Sequence, residues 1–365
     1  MRKQICALLA CCMLLGTLFT LCSCAFGSNT GGIQPGKNNV TRSKIVSYSY
    51  FNTVSTIYSY ADVSEEEFER YVSTVNDTLS YYHKLFDIYY AYVGINNIQT
   101  INKNAGKNPV VVDRELIDFL LYCKELCTIT EGKTNIMLGS VLKLWHDARE
   151  KAAENDGVLD PEELPSETEL AAAAAHTDID LLVIDEAAST VYITDKHASI
   201  DVGAVAKGYV VELLYGQLKE MGADAVALNV GGNLRTVGLK PDGERWITGI
   251  TNPDKNSSES LRCRVEIGST SVVTSGDYER FFVSDGVNYH HIIDPVTLAP
   301  ATYFSSVSII TEHSGLADAL STALFCMTEQ EGRALIADLS GVDVIWIYSD
   351  GRMTMTDGIA AHLIK

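Results

Sequence analysis

The sequence predicts an α+β fold with mixed or antiparallel sheets and packed helices, and three observations predict it. Strand-like alternation and helix-like periodicity come in unequal runs, without the regular βαβ rhythm of a doubly wound sheet. The glycine-rich stretch Ser199–Leu214 is neither a P-loop nor a G-x-G-x-x-G turn: Lys207 precedes Gly208, and no Ser or Thr follows it. The residues after a leader at 1–23 can bury a substantial core, as one large domain or two closely joined lobes.

The elements follow in order. Arg2 and Lys3 precede an apolar run from Ile5 to Leu21, and then Leu21-Cys22-Ser23-Cys24 resembles a bacterial lipobox. The run is short for a spanning helix. The expectation is therefore a lipoprotein signal peptide at 1–23, with Cys24 taking a diacylglycerol and anchoring the chain on the outer face of a bacterial cell membrane. Residues 24–45, rich in Gly, Asn and Ser, read as a flexible tether to a domain at 46–365.

Alternation from Ser47 to Tyr60 predicts a strand, and Phe68, Val72, Val75, Leu79 and Tyr82 predict a helix over 65–86. Asp113 stands as the cap of a helix running to about Thr130. A turn-rich loop, 130–139, leads to a segment over 141–151, then a surface insertion with some helix at 156–175. Two strands follow within 179–200, and Asp201 occupies the place of a cap for the helix that carries Lys207. Beyond it the pattern predicts strands at 225–229, 246–251, 261–267 and 305–310, and a helix over 316–326. The double glycine of Val230-Gly231-Gly232-Asn233 implies tight backbone geometry.

Formal charge is −19, and loss of Arg2 and Lys3 would take it to −21. Such a surface argues against nucleic acid and against anionic lipid as direct ligands. A phosphate-bearing substrate would need a local Lys or a bound cation. Beyond the leader, and apart from the expected lipid site Cys24, only Cys123, Cys127, Cys263 and Cys326 remain, in no zinc or disulfide pattern; Cys123 and Cys127 read as core residues one helical turn apart.

Two positions carry plausible chemistry. Asp318 and Thr322 are one helical turn apart and could both offer oxygen to Mg²⁺; the same pair also fits an acid favoured by the helix dipole beside a solvated hydroxyl. His291 carries the side chain best suited to moving a proton near neutral pH, and equally fits a strand histidine bonded to a carbonyl.

Taken together, FNTVSTIYSY, INNIQTIN, TEGKTNIMLGSVLKLW, DVGAVAKGY, NVGGNLRTVG, TSGDYERFF, YHHIIDP and ADALSTALF, in that order from about Tyr50 to Met355, resemble the FAD:protein FMN transferase (ApbE-type) family. The resemblance implies two closely joined lobes around a flavin-binding cleft. It implies that FAD is cleaved with Mg²⁺ and that FMN passes to a Thr or Ser hydroxyl of an acceptor protein bearing a flavinylation motif. It places metal ligands on the side chains of Asp318 and Thr322 and the Ala204 carbonyl. Flavin-nucleotide contacts fall on Phe51, Lys133, Thr134, Asn135, Asp201, Lys207 and Ile292, with His291 as general base and Lys207 assisting. Two departures stand out: Gly132-Lys133-Thr134-Asn135 where Gly-Ala-Phe-Asp is common, and Phe51-Asn52-Thr53 where Met-Gly-Thr or Met-Asp-Thr is common. No acceptor motif is read in the chain, so the implied target is another protein. The competing expectations are an FAD pyrophosphatase releasing FMN and AMP, and a flavin-binding lipoprotein without catalysis.

Overall fold

The computed structural model describes residues 41–364. The expected signal peptide, the lipidation residue Cys24 and most of the tether lie outside the described residues. The chain runs β1 (Arg42–Ser47), β2 (Ser55–Ser59), α1 (Glu65–Leu85), α2 (Ile98–Lys103), β3 (Val110–Val111), α3 (Arg114–Ile129), α4 (Gly139–Ala153) and α5 (Glu167–Ala174). It continues through β4 (Leu182–Asp185), β5 (Thr190–Ile193), α6 (Ala206–Glu220), β6 (Val226–Val230), β7 (Asn233–Val237), β8 (Trp246–Thr251), β9 (Leu261–Ile267) and β10 (Ser271–Gly276). The last elements are β11 (Phe281–Ser284), β12 (Val287–His290), β13 (Ser306–Thr311), α7 (Ser314–Phe325), α8 (Glu329–Ile336), β14 (Asp343–Ile347), β15 (Met353–Met355), α9 (Asp357–Ala360) and β16 (Leu363–Ile364).

An eight-stranded sheet of order β1-β2-β6-β7-β10-β13-β14-β15 forms the centre, and its neighbours pair antiparallel throughout. Period-two alternation sorts its two faces. Val226, Leu228 and Val230 of β6 pack into the cluster that holds α1, α3 and α6, while Ala227 faces the small sheet β16-β9-β8. Likewise Val344 and Trp346 of β14 pack with α7, and Ile345 and Ile347 pack with Trp246 and Val265. All the described residues fall in one compact unit, so the two lobes of the sequence reading are layers sharing this sheet. Among the described residues no helix is long and apolar enough to cross a membrane.

Several expectations need correction. The strand expected over 47–60 breaks at a 3-10 turn, Tyr50–Asn52, where Phe51 and Asn52 take φ of 55° and 53°. Alternation cannot register that break, because the turn keeps an aromatic residue where the strand would have one. Asp201 is not the cap of α6. The helix begins at Ala206, with Val205 in the cap position, and Asp201 instead closes a local turn by accepting the Gly203 N–H at 2.9 Å. Asp113 does hold the cap position of α3, but its carboxylate accepts from the Tyr81 hydroxyl (3.3 Å) and makes no capping bond. The double glycine is the two-residue turn of the β6–β7 hairpin, with φ of 56° at Gly231 and 90° at Gly232, as such turns require. Cys123 and Cys127 are free and buried, as expected of core residues.

One buried ion pair ties these layers together. Arg235 of β7 is 2% exposed; its guanidinium lies 3.6 Å from the Tyr215 ring centre, and its Nε lies 3.6 Å from Glu212 Oε2. Glu212, on α6, also accepts the Ser314 N–H at 2.7 Å, which seats the first residue of α7 against α6.

Candidate active site

The first half of the site is the crossing of α6 and α7. Gly208 makes it possible: a Cβ there would stand 2.4 Å from Asp318 Cβ and 2.5 Å from the Ser314 carbonyl. With no side chain in the way, the Gly208 N–H donates to Asp318 Oδ2 at 2.7 Å, and Asn233 Nδ2 donates to the same oxygen at 3.2 Å. Asp318 Oδ1 lies 4.0 Å from Lys207 Nζ. Burial pushes the Asp318 carboxyl above its usual range, and Lys207, Gly208 and Asn233 work in the opposite direction. One turn on, Thr322 is half-buried, its hydroxyl 3.5 Å from the Asp318 carbonyl. Ser321 donates to that carbonyl at 2.9 Å and meets Ser275 at 2.9 Å.

These donors fit one kind of metal. Among the described residues no group of three or more His, Cys, Asp or Glu could hold an ion. What α7 offers is hard oxygen: a buried carboxylate with one oxygen outside the Gly208 and Asn233 bonds, and a hydroxyl one turn away. That set suits Mg²⁺, which keeps several waters or substrate oxygens in its shell, and does not suit a softer ion.

The second half is built from α4 and the β11–β12 hairpin. The His291 N–H and its Nδ1 both donate to the Arg280 carbonyl, at 3.1 and 3.3 Å. With the proton on Nδ1, the lone pair is on Nε2, the tautomer a base requires. The adjacent His290 is committed at both nitrogens: Nε2 donates to the Ala301 carbonyl (2.7 Å) and Nδ1 accepts the Ile292 N–H (3.2 Å). Burial first, then Arg280, His290, Lys207 and Arg149, push the His291 pKa down to about 3.

That depression has a defined sign. A histidine kept neutral by the fold contributes stability that is present above its unfolded pKa, near 6.5, and is lost as pH falls towards the folded value of about 3. The melting temperature is expected to fall between pH 6.5 and 4, and to fall less in His291→Gln. Equal slopes in the two proteins, measured by thermal unfolding at several pH values, would show that the imidazole titrates normally.

Lys133 Nζ donates to Asp294 Oδ1 (3.0 Å) and the Cys326 carbonyl (2.8 Å), and the Thr134 hydroxyl donates to the Ala319 carbonyl (2.7 Å). Asn135 donates to the Thr177 carbonyl (2.8 Å) and accepts the Met137 N–H (2.9 Å). All three side chains pin the 130–139 loop to its surroundings, α7 included, leaving chiefly the backbone to meet a ligand. The loop also holds Asp201, whose N–H donates to the Ile136 carbonyl at 2.8 Å and whose Oδ2 lies 4.0 Å from His146 Nε2. Ala204, two residues before α6, is half-buried with its side chain against the core. Ile292 is buried, and its carbonyl accepts from Ala301. Phe51 packs edge-on to His83 (5.8 Å), and Arg280 Nη2 reaches the Asn52 carbonyl at 3.4 Å, linking this turn to the His291 hairpin. Lys207 stands between the halves, near Asp318 and acting on His291.

The sequence reading missed Asn233, Trp145, His146 and Arg149. The last three come together on α4, with Trp145 and Arg149 one turn apart; no helix was read there, so their spacing carried no signal.

This fold and site define an α+β protein with a cation-ready carboxylate and a neutral imidazole flanking a common lysine. Residues 50–346 match the ApbE family, and the chain belongs to it. It is 36% identical over 272 residues to an FAD:protein FMN transferase of Treponema pallidum, covering 72% of this chain and 73% of that one. A protein of the same name from Vibrio cholerae is 29% identical over 286 residues, 78% of each chain. Among solved structures, the ApbE protein of Thermotoga maritima aligns with a TM-score of 0.73 at 25% identity, over 86% of this chain and 97% of that one. The flavin transferase ApbE of Vibrio cholerae aligns at 0.69 with 24% identity, over 85% and 96%, a likeness of fold.

Proposed function

We propose that this chain is an Mg²⁺-dependent FAD:protein FMN transferase. In the reaction the acceptor's Thr or Ser oxygen bonds to the FMN phosphorus, the pyrophosphate P–O bond breaks, AMP leaves, and the hydroxyl proton passes to a base. The observation that carries the reading is Lys207, 4.0 Å from Asp318 and close enough to His291 to disfavour its protonation. It stands beside a carboxylate suited to a hard cation and near an imidazole suited to accept a proton. Bound Mg²⁺ supplies charge neutralisation of the pyrophosphate. Lys207 adds a second positive charge beside the leaving phosphate, and His291 Nε2 takes the acceptor proton. The relatives' names support this reading.

The test mixes the domain with FAD, Mg²⁺ and a protein bearing a flavinylation motif. Mass spectrometry of the acceptor and chromatography of the nucleotides are read together. Covalent FMN on the acceptor with AMP released, both abolished by EDTA, is expected. Free FMN and AMP over an unmodified acceptor would make the chain a pyrophosphatase, and intact bound FAD would make it a binding protein. We also propose, from the lipobox resemblance, that Cys24 carries a lipid on the outer face of the membrane. Fatty-acid labelling that persists in Cys24→Ser would refute it.

A further inference from the structure

Two arginines beside His291 have no anionic partner in the arrangement above. Arg149 lies one turn beyond Trp145 and His146 on α4, and the three face Tyr289 and His291 across one hollow. Its wall is aromatic: the Trp145 and Tyr289 rings lie 5.8 Å apart at 21°, and Phe282 stacks on Tyr289 at 5.3 Å. His146 is held by the Tyr89 hydroxyl at 3.2 Å. Arg149 is half-buried and forms no ion pair among the described residues. Asp201, Glu150 and Tyr89 act on it only at a distance, and Arg280 opposes it. Arg280 donates from its Nη2 to the Asn52 carbonyl at 3.4 Å while its own carbonyl orients His291.

In a chain of net charge −19, Arg149 lines the hollow that holds His291 and Arg280 adjoins it through its own carbonyl, with no carboxylate paired to either arginine among the described residues. A half-buried guanidinium without a paired carboxylate, beside the exposed Arg280, is unfavourable until an anion enters. The planar fork of arginine matches phosphate oxygens.

We propose that Arg149, assisted by Arg280, binds a phosphoryl group of the dinucleotide substrate on the His291 side of the cleft, across from the Asp318 carboxylate. The inference rests on the transferase reading for the identity of the substrate. It makes Arg149 a substrate-binding residue, and α4 the element that sets where the phosphorus stands relative to His291 Nε2.

The test measures equilibrium binding of FAD and of riboflavin, which lacks phosphate, by flavin fluorescence in the wild type, R149Q and R149K. FAD affinity is expected to fall about ten- to hundredfold in R149Q, the range for a hydrogen bond to a charged group. R149K should recover part of it, because it keeps the charge and loses the fork. Riboflavin affinity should not change, and melting temperatures near wild type would exclude unfolding as the cause. FAD affinity unaltered in R149Q overturns the proposal. So does an equal loss for FAD and riboflavin, which would make Arg149 part of the ring wall. A raised KM for the acceptor protein with FAD affinity intact also overturns it, placing Arg149 against the acceptor. A wild type that binds FAD but neither cleaves nor transfers it defeats the transferase reading alone, since the binding comparison still decides the role of Arg149.

Discussion

Replacing Asp318 by Ala is expected to lower Mg²⁺-dependent FAD cleavage by about 10²–10⁴-fold, the scale of several kcal/mol of charge stabilisation at the transition state. The physical reason lies in its surroundings. Asp318 is 5% exposed; burial pushes its carboxyl above the usual range, and Lys207 with the Gly208 and Asn233 donors works against that rise. In the metal-free protein burial of this carboxyl is itself a cost, so its removal should change stability far less than activity. The loss of two hydrogen bonds and the relief of the buried charge oppose each other, each about 1–3 kcal/mol. The two effects separate in one experiment. Added Mg²⁺ should raise the melting temperature of the wild type by mass action and leave that of Asp318→Ala unmoved. If the variant still shows the Mg²⁺ shift, or cleaves FAD at the wild-type rate, the metal does not bind at α7. Asp318→Asn should behave like the Ala variant in activity and in the Mg²⁺ shift, since it retains the shape and loses the charge.

Gly208→Ala should produce the second large effect, and by a different route. The new Cβ would meet Asp318 Cβ at 2.4 Å and the Ser314 carbonyl at 2.5 Å, neither of which is the movable end of a flexible side chain. α6 and α7 must separate, at about 1–3 kcal/mol of overpacking or more. The displacement falls on the carboxylate that the Gly208 N–H anchors. Thermal unfolding should show a lower melting temperature, and FAD cleavage should fall with it. Gly216 supplies the control on the same helix, because a Cβ there meets nothing within 4 Å. Gly216→Ala should stabilise the protein by up to about 1 kcal/mol through helix propensity. Equal melting temperatures for wild type and Gly208→Ala would show that the close crossing is dispensable.

Much of this arrangement was legible in the chain. Strands β8 and β9 fall where alternation alone puts them, at Trp246–Thr251 and Leu261–Ile267, and helix α1 where its apolar spacing puts it. The pairing of Asp318 with Thr322 followed from helical geometry, and the place of Lys207 near a helix start held. Elements carrying weaker signals went unread: α2 is six residues long, β16 two, and α8 shows its capping box, Thr328 with Glu331, only as a short local pattern. Phe51 was legible as a residue of interest, but the left-handed turn that carries it was not.

What the sequence by itself determined is therefore the α+β class, most of the longer elements and the residue types able to hold a cation or accept a proton. These depend on local periodicity and on side-chain chemistry, which are properties of neighbouring residues. Only the tertiary structure decided which of those residues meet. It joins Asp318 to Gly208, 110 positions away in the chain, and Asn135 to Thr177. It turns Lys133, Thr134 and Asn135 inward as braces of their loop, and it distinguishes His291, with a nitrogen to offer, from His290, which has none. Those outcomes are set by which backbone carbonyls and carboxylates lie within about 3 Å after the layers pack, where most buried polar groups find a partner, and local pattern carries no record of that.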